Sequence, residues 1–84
     1  TEKWYAALLE VEKSKIGINE EGKIEIIDLK AAPDKIFSLV DNVNYLPGYH
    51  MNKKHWFTIK LDGSISIKTI YTLIDESFNI IKKK

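Results

Sequence analysis

The first half of the chain contains three short apolar stretches separated by turn-forming residues, a pattern that predicts β-strands. Residues 3–11 form a nearly continuous apolar run, which favours a strand covered on both faces, with a short helix as the alternative. Residues 15–18 and 23–29 flank the sequence Asn19-Glu20-Glu21-Gly22. Because Asn and Gly readily adopt positive φ, we predict a tight hairpin between two strands at this point.

The second half predicts two helices with one more strand between them. Pro33 and Asp34 are typical of a helix start, and the spacing of the apolar residues that follow predicts a helix to about Asp41. Residues 42–52 predict a loop, and residues 55–61 alternate clearly enough to predict a strand. Ser66 is a candidate cap for a final helix that runs to the end of the chain. Its predicted apolar stripe consists of Ile67, Ile70, Tyr71, Ile74, Phe78 and Ile81.

The predicted fold is therefore an α+β two-layer sandwich, with elements in the order β-β-β-α-β-α and an antiparallel sheet. Both helices are expected on one face of the sheet, since two amphipathic helices need a common apolar surface. A chain of 84 residues has room for a single domain, spanning 1–84. The chain begins at Thr1 rather than at a methionine, so we expect this domain to be truncated at its N-terminus.

Composition removes several classes of function. The chain has no cysteine, which excludes disulfides, thiolate zinc sites and thiol nucleophiles. No stretch approaches 18 consecutive apolar residues and no signal-peptide pattern is present, so we expect no membrane partner and a cytoplasmic location. The formal net charge is +1, and all 13 basic residues are lysines. Without arginine, a highly sequence-selective DNA-binding protein would be unusual.

The segment that follows the first predicted helix carries the most informative side chains. No acidic residue occurs between Asp41 and Asp62, so the lysines in this interval give it a local charge of +3. Lysines interleaved with aromatic rings are typical of surfaces that bind phosphates and stack on bases. The alternative is a solvated loop whose rings fill the gap between helix and sheet. The candidate nucleic-acid-binding residues are Tyr49, His50, Asn52, Lys53, Lys54, His55, Trp56 and Lys60.

Other chemistry has weaker support in the sequence. His50 and His55 could bind a metal or act as a base, but no cysteine or nearby carboxylate completes such a site, and hydrogen bonding to loop backbone is the favoured interpretation. The glycines are scattered singly and no nucleophile motif, P-loop or dinucleotide fingerprint is present. We therefore predict no catalytic residues, no metal and no cofactor, and a protein that is not an enzyme.

Six strings of residues carry a further signal: Lys3-Trp4-Tyr5-Ala6, Lys15-Ile16-Gly17-Ile18, Ile26-Ile27-Asp28-Leu29-Lys30, Tyr49-His50-Met51-Asn52-Lys53-Lys54-His55-Trp56, Leu61-Asp62-Gly63-Ser64 and Ile74-Asp75-Glu76-Ser77-Phe78. These strings resemble the MmcQ/YjbR-like family of small bacterial proteins, and the similarity covers nearly the whole chain. The resemblance implies an α+β fold like that of secretion chaperones, and a function as a DNA-binding protein with a double-wing motif. The family's N-terminal helix and first strand are absent here, which leaves a sheet edge open to a partner.

Three hypotheses for function follow. The leading one is a non-enzymatic nucleic-acid-binding module of low sequence selectivity, with DNA as its partner. The second is a protein-interaction or chaperone-like domain that holds a protein partner, or a second copy, at the open sheet edge. The third is a small-molecule pocket or an enzyme in which His50 or His55 acts as a base, and it ranks last because no second catalytic group can be named.

Overall fold

The computed structural model describes residues 5–82, so the parts of the predicted first strand and last helix at residues 3–4 and 83–84 lie outside the described residues. The strands are β1 (Ala6–Glu12), β2 (Lys23–Lys30), β3 (Tyr45–Pro47) and β4 (Trp56–Lys60), and the helices are α1 (Pro33–Leu39) and α2 (Ile67–Lys82). The strands form one antiparallel sheet in the order β1-β2-β4-β3. This confirms the predicted α+β class.

Both helices pack on one face of the sheet, as the shared apolar surface predicted. Ile27 and Leu29 of β2 lie directly opposite Ile59 and Phe57 of β4, so their side chains share one face of the pleat. Ile36 of α1 belongs to the same buried cluster. The cluster is completed by Ala31, Ile65 and two residues of α2, Ile70 and Leu73.

The predicted strand at residues 15–18 is wrong, because Lys13–Ile16 forms a 3₁₀ helix. Gly17 follows it with a φ of 85°, and its N–H donates back to a carbonyl of the 3₁₀ helix. The N–H of Lys13 donates to the carbonyl of Gly22 at 2.9 Å, which closes the connection. The paired arms are therefore β1 and β2, with Glu12 opposite Lys23, and the chain order is β-β-α-β-β-α.

The segment predicted as a loop after α1 contains the short edge strand β3, which pairs with β4. Asp41 forms the turn that leads into it. Its Oδ1 accepts hydrogen bonds from the backbone N–H groups of Val43, Asn44 and Tyr45 at 2.8–3.1 Å. These bonds favour the ionised carboxylate and hold the pKa of Asp41 below its usual value. A local side-chain turn thus directs the chain back onto the sheet.

The apolar stripe of α2 is rotated relative to the prediction. Ile70 is buried as expected, but Leu73 and Ser77 are the other buried positions. Two predicted core residues, Ile67 and Tyr71, are each 62% exposed. No helix among residues 5–82 combines the length and the apolar character needed to cross a membrane.

Candidate functional site

The loop at residues 48–55 covers the face of the sheet opposite the two helices. Gly48 begins it in close contact with the start of β4, where a Cβ on Gly48 would lie only 2.7 Å from the Cβ of Trp56. The next residue, Tyr49, donates its backbone N–H to Oγ1 of Thr58 at 2.9 Å. Thr58 is fully buried and points to the face that the helices leave free. The absence of a side chain at Gly48 allows the loop to approach β4, and the hydrogen bond to the Thr58 hydroxyl holds it there.

A buried carboxyl group lies beneath the loop, and the sequence pattern does not identify it as a candidate site residue. Asp28 of β2 is directly opposite Thr58 and is fully buried, and the Thr58 hydroxyl donates to its Oδ1. Its Oδ2 has no hydrogen-bond partner within the described residues. Burial raises the pKa of Asp28, while the Thr58 hydrogen bond and the charges of His50 and Lys53 act in the opposite direction. The sheet thus places a potential negative charge under two basic residues of the loop.

The aromatic candidates differ in their access to solvent. Trp56 is only 7% exposed, and the Nζ of Lys30 lies 5.4 Å from its ring centroid. Its ring is therefore unavailable for stacking on a base, contrary to the expectation for this residue. Tyr49 is half-buried and stacks on the imidazole of His50, with the ring centroids 4.2 Å apart. His50 is exposed and has a φ of 57°, a conformation that few non-glycine residues adopt.

The polar candidates divide into loop residues and one distant lysine. Asn52, Lys54 and His55 are exposed, and Oδ1 of Asn52 accepts the backbone N–H of Lys54 at 2.9 Å, so this amide shapes the loop itself. Nζ of Lys53 donates to the carbonyl of Gly48 at 3.0 Å, across the base of the loop. Lys60 lies at the far end of β4, where its charge helps to lower the pKa of Asp62. The structure therefore separates Lys60 from the loop.

A surface groove of about 690 Å³ lies between this loop and the 3₁₀ helix. We call it the basic groove, and its lining comprises residues 15–17, Asn42, residues 46–50 and Lys53. The lining brings together three groups that carry or can acquire positive charge, Lys15, His50 and Lys53, and among the described residues it includes no carboxylate side chain. The groove therefore favours an anionic ligand.

The lysines around the groove are not held in ion pairs by the described residues. Within residues 5–82, neither Lys15, Lys53 nor Lys54 forms a salt bridge with a carboxylate. The run of lysines and rings predicts Lys53 and Lys54 as part of the site, whereas the apolar pattern predicts a strand at Lys15 and no role for it. No local sequence feature identifies Lys15 as a site residue, because it comes near the loop only through the folding of the 3₁₀ helix against the sheet.

His50 and His55 are the candidate bases and metal ligands of this region. In the described part of the chain, neither imidazole has a side-chain hydrogen bond to a carboxylate or a hydroxyl that would orient it as a base. Among residues 5–82, no three histidine or acidic side chains cluster closely enough to hold a metal ion. What the geometry supplies is a concave basic surface bordered by one exposed ring.

The chain is similar to several known proteins over most of its length. It is 40% identical over 80 residues to the uncharacterised protein YyaQ of Bacillus subtilis, which covers 95% of this chain and 68% of that protein. It is 32% identical over 77 residues to the uncharacterised protein YjbR of Escherichia coli K12, covering 89% of this chain and 65% of that protein. About a third of the length of each relative thus lies outside the similarity.

Solved structures agree with these relatives. A crystal structure of a Pseudomonas syringae protein superimposes with a TM-score of 0.88 at 44% identity, covering 93% of this chain and 67% of that one. A Deinococcus radiodurans protein superimposes with a TM-score of 0.65 at 34% identity, covering 71% and 45%. The YjbR family model matches residues 1–80. The chain therefore belongs to the YjbR family.

Proposed function

We propose that this protein is a non-enzymatic module that binds nucleic acid, DNA in the first instance, with low sequence selectivity. The observation that carries the proposal is the basic groove, which is lined by Lys15, Lys53 and His50 with no carboxylate among the described lining residues. Lys54 extends the same basic surface along the exposed loop. Such a surface matches a phosphate backbone, which supplies most of the affinity in sequence-independent binding. A cytoplasmic location is part of the same proposal.

Low selectivity follows from the kind of groups on this surface. Lysine is a flexible point charge that neutralises a phosphate without reading a base edge, and the chain has no arginine to make bidentate contacts with guanine. Trp56 is buried beneath the loop, so its ring is not part of the proposed contact surface. The proposed contact set is therefore Lys15, His50, Lys53, Lys54 and His55.

The test is a fluorescence-anisotropy titration of labelled duplex and single-stranded DNA at about 50 mM and 200 mM salt. We expect the affinity for at least one of the two forms to fall steeply with salt. The double variant Lys53→Ala, Lys54→Ala should weaken binding and reduce the slope of log K against log salt by about 1.8 on duplex, if each lysine neutralises one phosphate.

The matched control is Lys68→Ala with Lys82→Ala, which removes the same charge from exposed positions on α2. This variant should bind nearly as well as the parent protein. Binding weaker than about 1 mM at low salt to both forms of DNA, or equal losses in the two double variants, would refute the proposal.

A second candidate function is self-association at β1, which is an edge strand of the sheet. It is favoured by Leu8, which is 71% exposed in this strand, on the face that carries α2. Exposed edges with apolar side chains are templates for pairing with a second chain. The proposed partner is a second copy, which would extend the sheet.

Size-exclusion chromatography with light scattering tests this candidate. A dimer that Leu8→Lys converts to a monomer, and that Lys53→Ala leaves intact, would support it. A parent protein that remains monomeric at about 100 μM would exclude it.

A further inference from the structure

We infer that the basic groove accepts one unpaired nucleotide, so that the module prefers single-stranded nucleic acid to duplex. This inference rests on the proposed function and specifies its ligand. It assigns the phosphate to Lys15 and Lys53, on opposite sides of the groove, and the base to the exposed ring of His50.

The size and shape of the groove support an unpaired nucleotide. Its volume of about 690 Å³ lies in the range of small-ligand sites, and the groove is open to solvent on one side. Duplex DNA presents a convex backbone with its bases stacked inside, so it can touch only the rim of such a concavity. An unpaired nucleotide can place both its phosphate and its base within it.

The lysines provide the charge in the required positions. Lys15 comes from the 3₁₀ helix and Lys53 from the loop, so the groove is basic on two sides. Nζ of Lys53 uses one of its three hydrogens on the carbonyl of Gly48, which positions the ammonium group and leaves two donors for a phosphate.

The ring of His50 provides a preformed stacking surface. Tyr49 is fixed by its backbone hydrogen bond to Thr58, and its ring lies nearly parallel to the imidazole, at an interplanar angle of 25°. The half-buried tyrosine thereby supports one face of the imidazole, and the exposed histidine borders the groove. Every base has a π-face, so stacking on this ring is compatible with low sequence selectivity.

The experiment compares a labelled 12-nucleotide oligothymidylate with a 12-base-pair duplex, using the intact chain at the same two salt concentrations. We expect the single strand to bind at least about tenfold more tightly at 200 mM salt. Lys15→Gln should weaken single-strand binding about fivefold and lower its salt slope by about 0.7, the value for one phosphate contact. Lys68→Gln on α2 is the control with the same change of charge and should have no such effect.

His50→Asn tests the stacking surface without disturbing the backbone, because asparagine tolerates the left-handed conformation at this position. It should weaken single-strand binding about tenfold, because it removes the ring on which the base is proposed to stack. Unchanged thermal unfolding curves for both variants will show that the fold is retained.

The possible results separate this inference from the function on which it rests. Equal binding of duplex and single strand, with Lys15→Gln and His50→Asn both silent, would overturn the inference and leave general nucleic-acid binding in place. Failure of both DNAs to bind would overturn both. If thymidine 5′-monophosphate displaced the 12-mer at concentrations near the dissociation constant of the 12-mer, the groove would be a site for free nucleotides and the inference would be wrong.

Discussion

Asp28 is the residue whose environment departs most from that of an ordinary surface carboxyl group. It lies in the centre of the sheet, accepts one hydrogen bond from Thr58 and leaves its Oδ2 unpartnered within the described residues. Burial disfavours the charged form and raises its pKa. Its ionisation is therefore coupled both to the stability of the fold and to the two basic groups above it, His50 and Lys53.

The pH dependence of stability should reveal this carboxyl group. Because the pKa of Asp28 is higher in the folded state, the folded protein binds more protons than the unfolded one, and the Asp28 contribution to stability falls as pH rises from 3.8 through the raised value. In Asp28→Asn this loss is absent. We therefore expect Asp28→Asn to gain stability relative to the parent as pH rises. The free energy of unfolding of the variant minus that of the parent, measured by urea titration, should be larger at pH 7 than at pH 4. A difference that is constant or opposite in sign over this range would contradict the assignment.

Ser77 connects α2 to the ends of two strands through a single buried hydroxyl. Its Oγ accepts the backbone N–H of Lys30 at 2.8 Å and donates to the carbonyl of Tyr5 at 2.5 Å. Ser77→Ala would leave both backbone groups without this partner, and we expect it to cost about 1–3 kcal/mol in the free energy of unfolding. Ser38→Ala, which removes an exposed hydroxyl from α1, is the control and should change stability by less than about 0.5 kcal/mol. Equal effects of the two substitutions in thermal or urea unfolding would show that the Ser77 bridge contributes nothing.

At the scale of elements, local pattern predicted α1, most of β2 and most of β4 because each has a clear start signal or alternation. It failed at residues 15–18, because a stretch this short with two apolar residues is compatible with both a strand and a 3₁₀ helix. It also missed β3, whose three residues are too few to show a period and which is defined by pairing with β4. The 3₁₀ helix is held by short-range hydrogen bonds, such as that from the N–H of Ile18 to the carbonyl of Lys13. β3 instead depends on pairing with β4, a contact that the pattern of its own three residues does not show.

The rotation of α2 has a similar cause. Periodicity placed Tyr71 and Phe78 in the core because they are large and apolar, yet they are 62% and 45% exposed. The helix instead presents Leu73 and Ser77 to the sheet. The hydroxyl of Ser77 is needed at the ends of β1 and β2, and hydrophobicity along one helix cannot reveal a tertiary hydrogen bond.

The loop at residues 48–55 depends on the absence of a side chain at its first position. A Cβ on Gly48 would lie 2.7 Å from the Cβ of Trp56 and 3.0 Å from its carbonyl oxygen, so Gly48→Ala must push the loop away from β4. We expect this change to cost about 1–3 kcal/mol and to shift the indole N–H resonance of Trp56.

Gly63→Ala is the comparison for Gly48→Ala. Gly63 has a φ of 90° and open space around its Cα, so alanine there should destabilise the protein by about 1–2 kcal/mol through the backbone alone. The Trp56 resonance should stay in place. A Trp56 resonance that does not move in Gly48→Ala would show that the loop tolerates the side chain and that the contact is not essential.

At the scale of the whole molecule, the two faces of the sheet have different roles. One face packs against both helices and forms the core. The other, which carries Asp28 and Thr58, is covered by the loop and the adjoining basic groove. The sequence identified the loop half of this site from its run of lysines and rings. It could not identify Lys15, whose place in the site is a consequence of the connection between β1 and β2.

This separation predicts that DNA affinity follows the charge of one face rather than the net charge of the molecule. Changing Lys68 and Lys82 of α2 to glutamate lowers the formal net charge from +1 to −3, but on the helix-bearing side of the sheet. Charges separated by more than about 8 Å are largely screened at 150 mM salt, so we expect single-strand affinity to fall by less than about threefold. Lys15→Glu lowers the net charge by only two, yet it places a carboxylate in the basic groove and should reduce affinity by more than about tenfold. If affinity instead declined in proportion to net charge across these variants, binding would be a property of the overall field of the protein and the groove would have no special part in it.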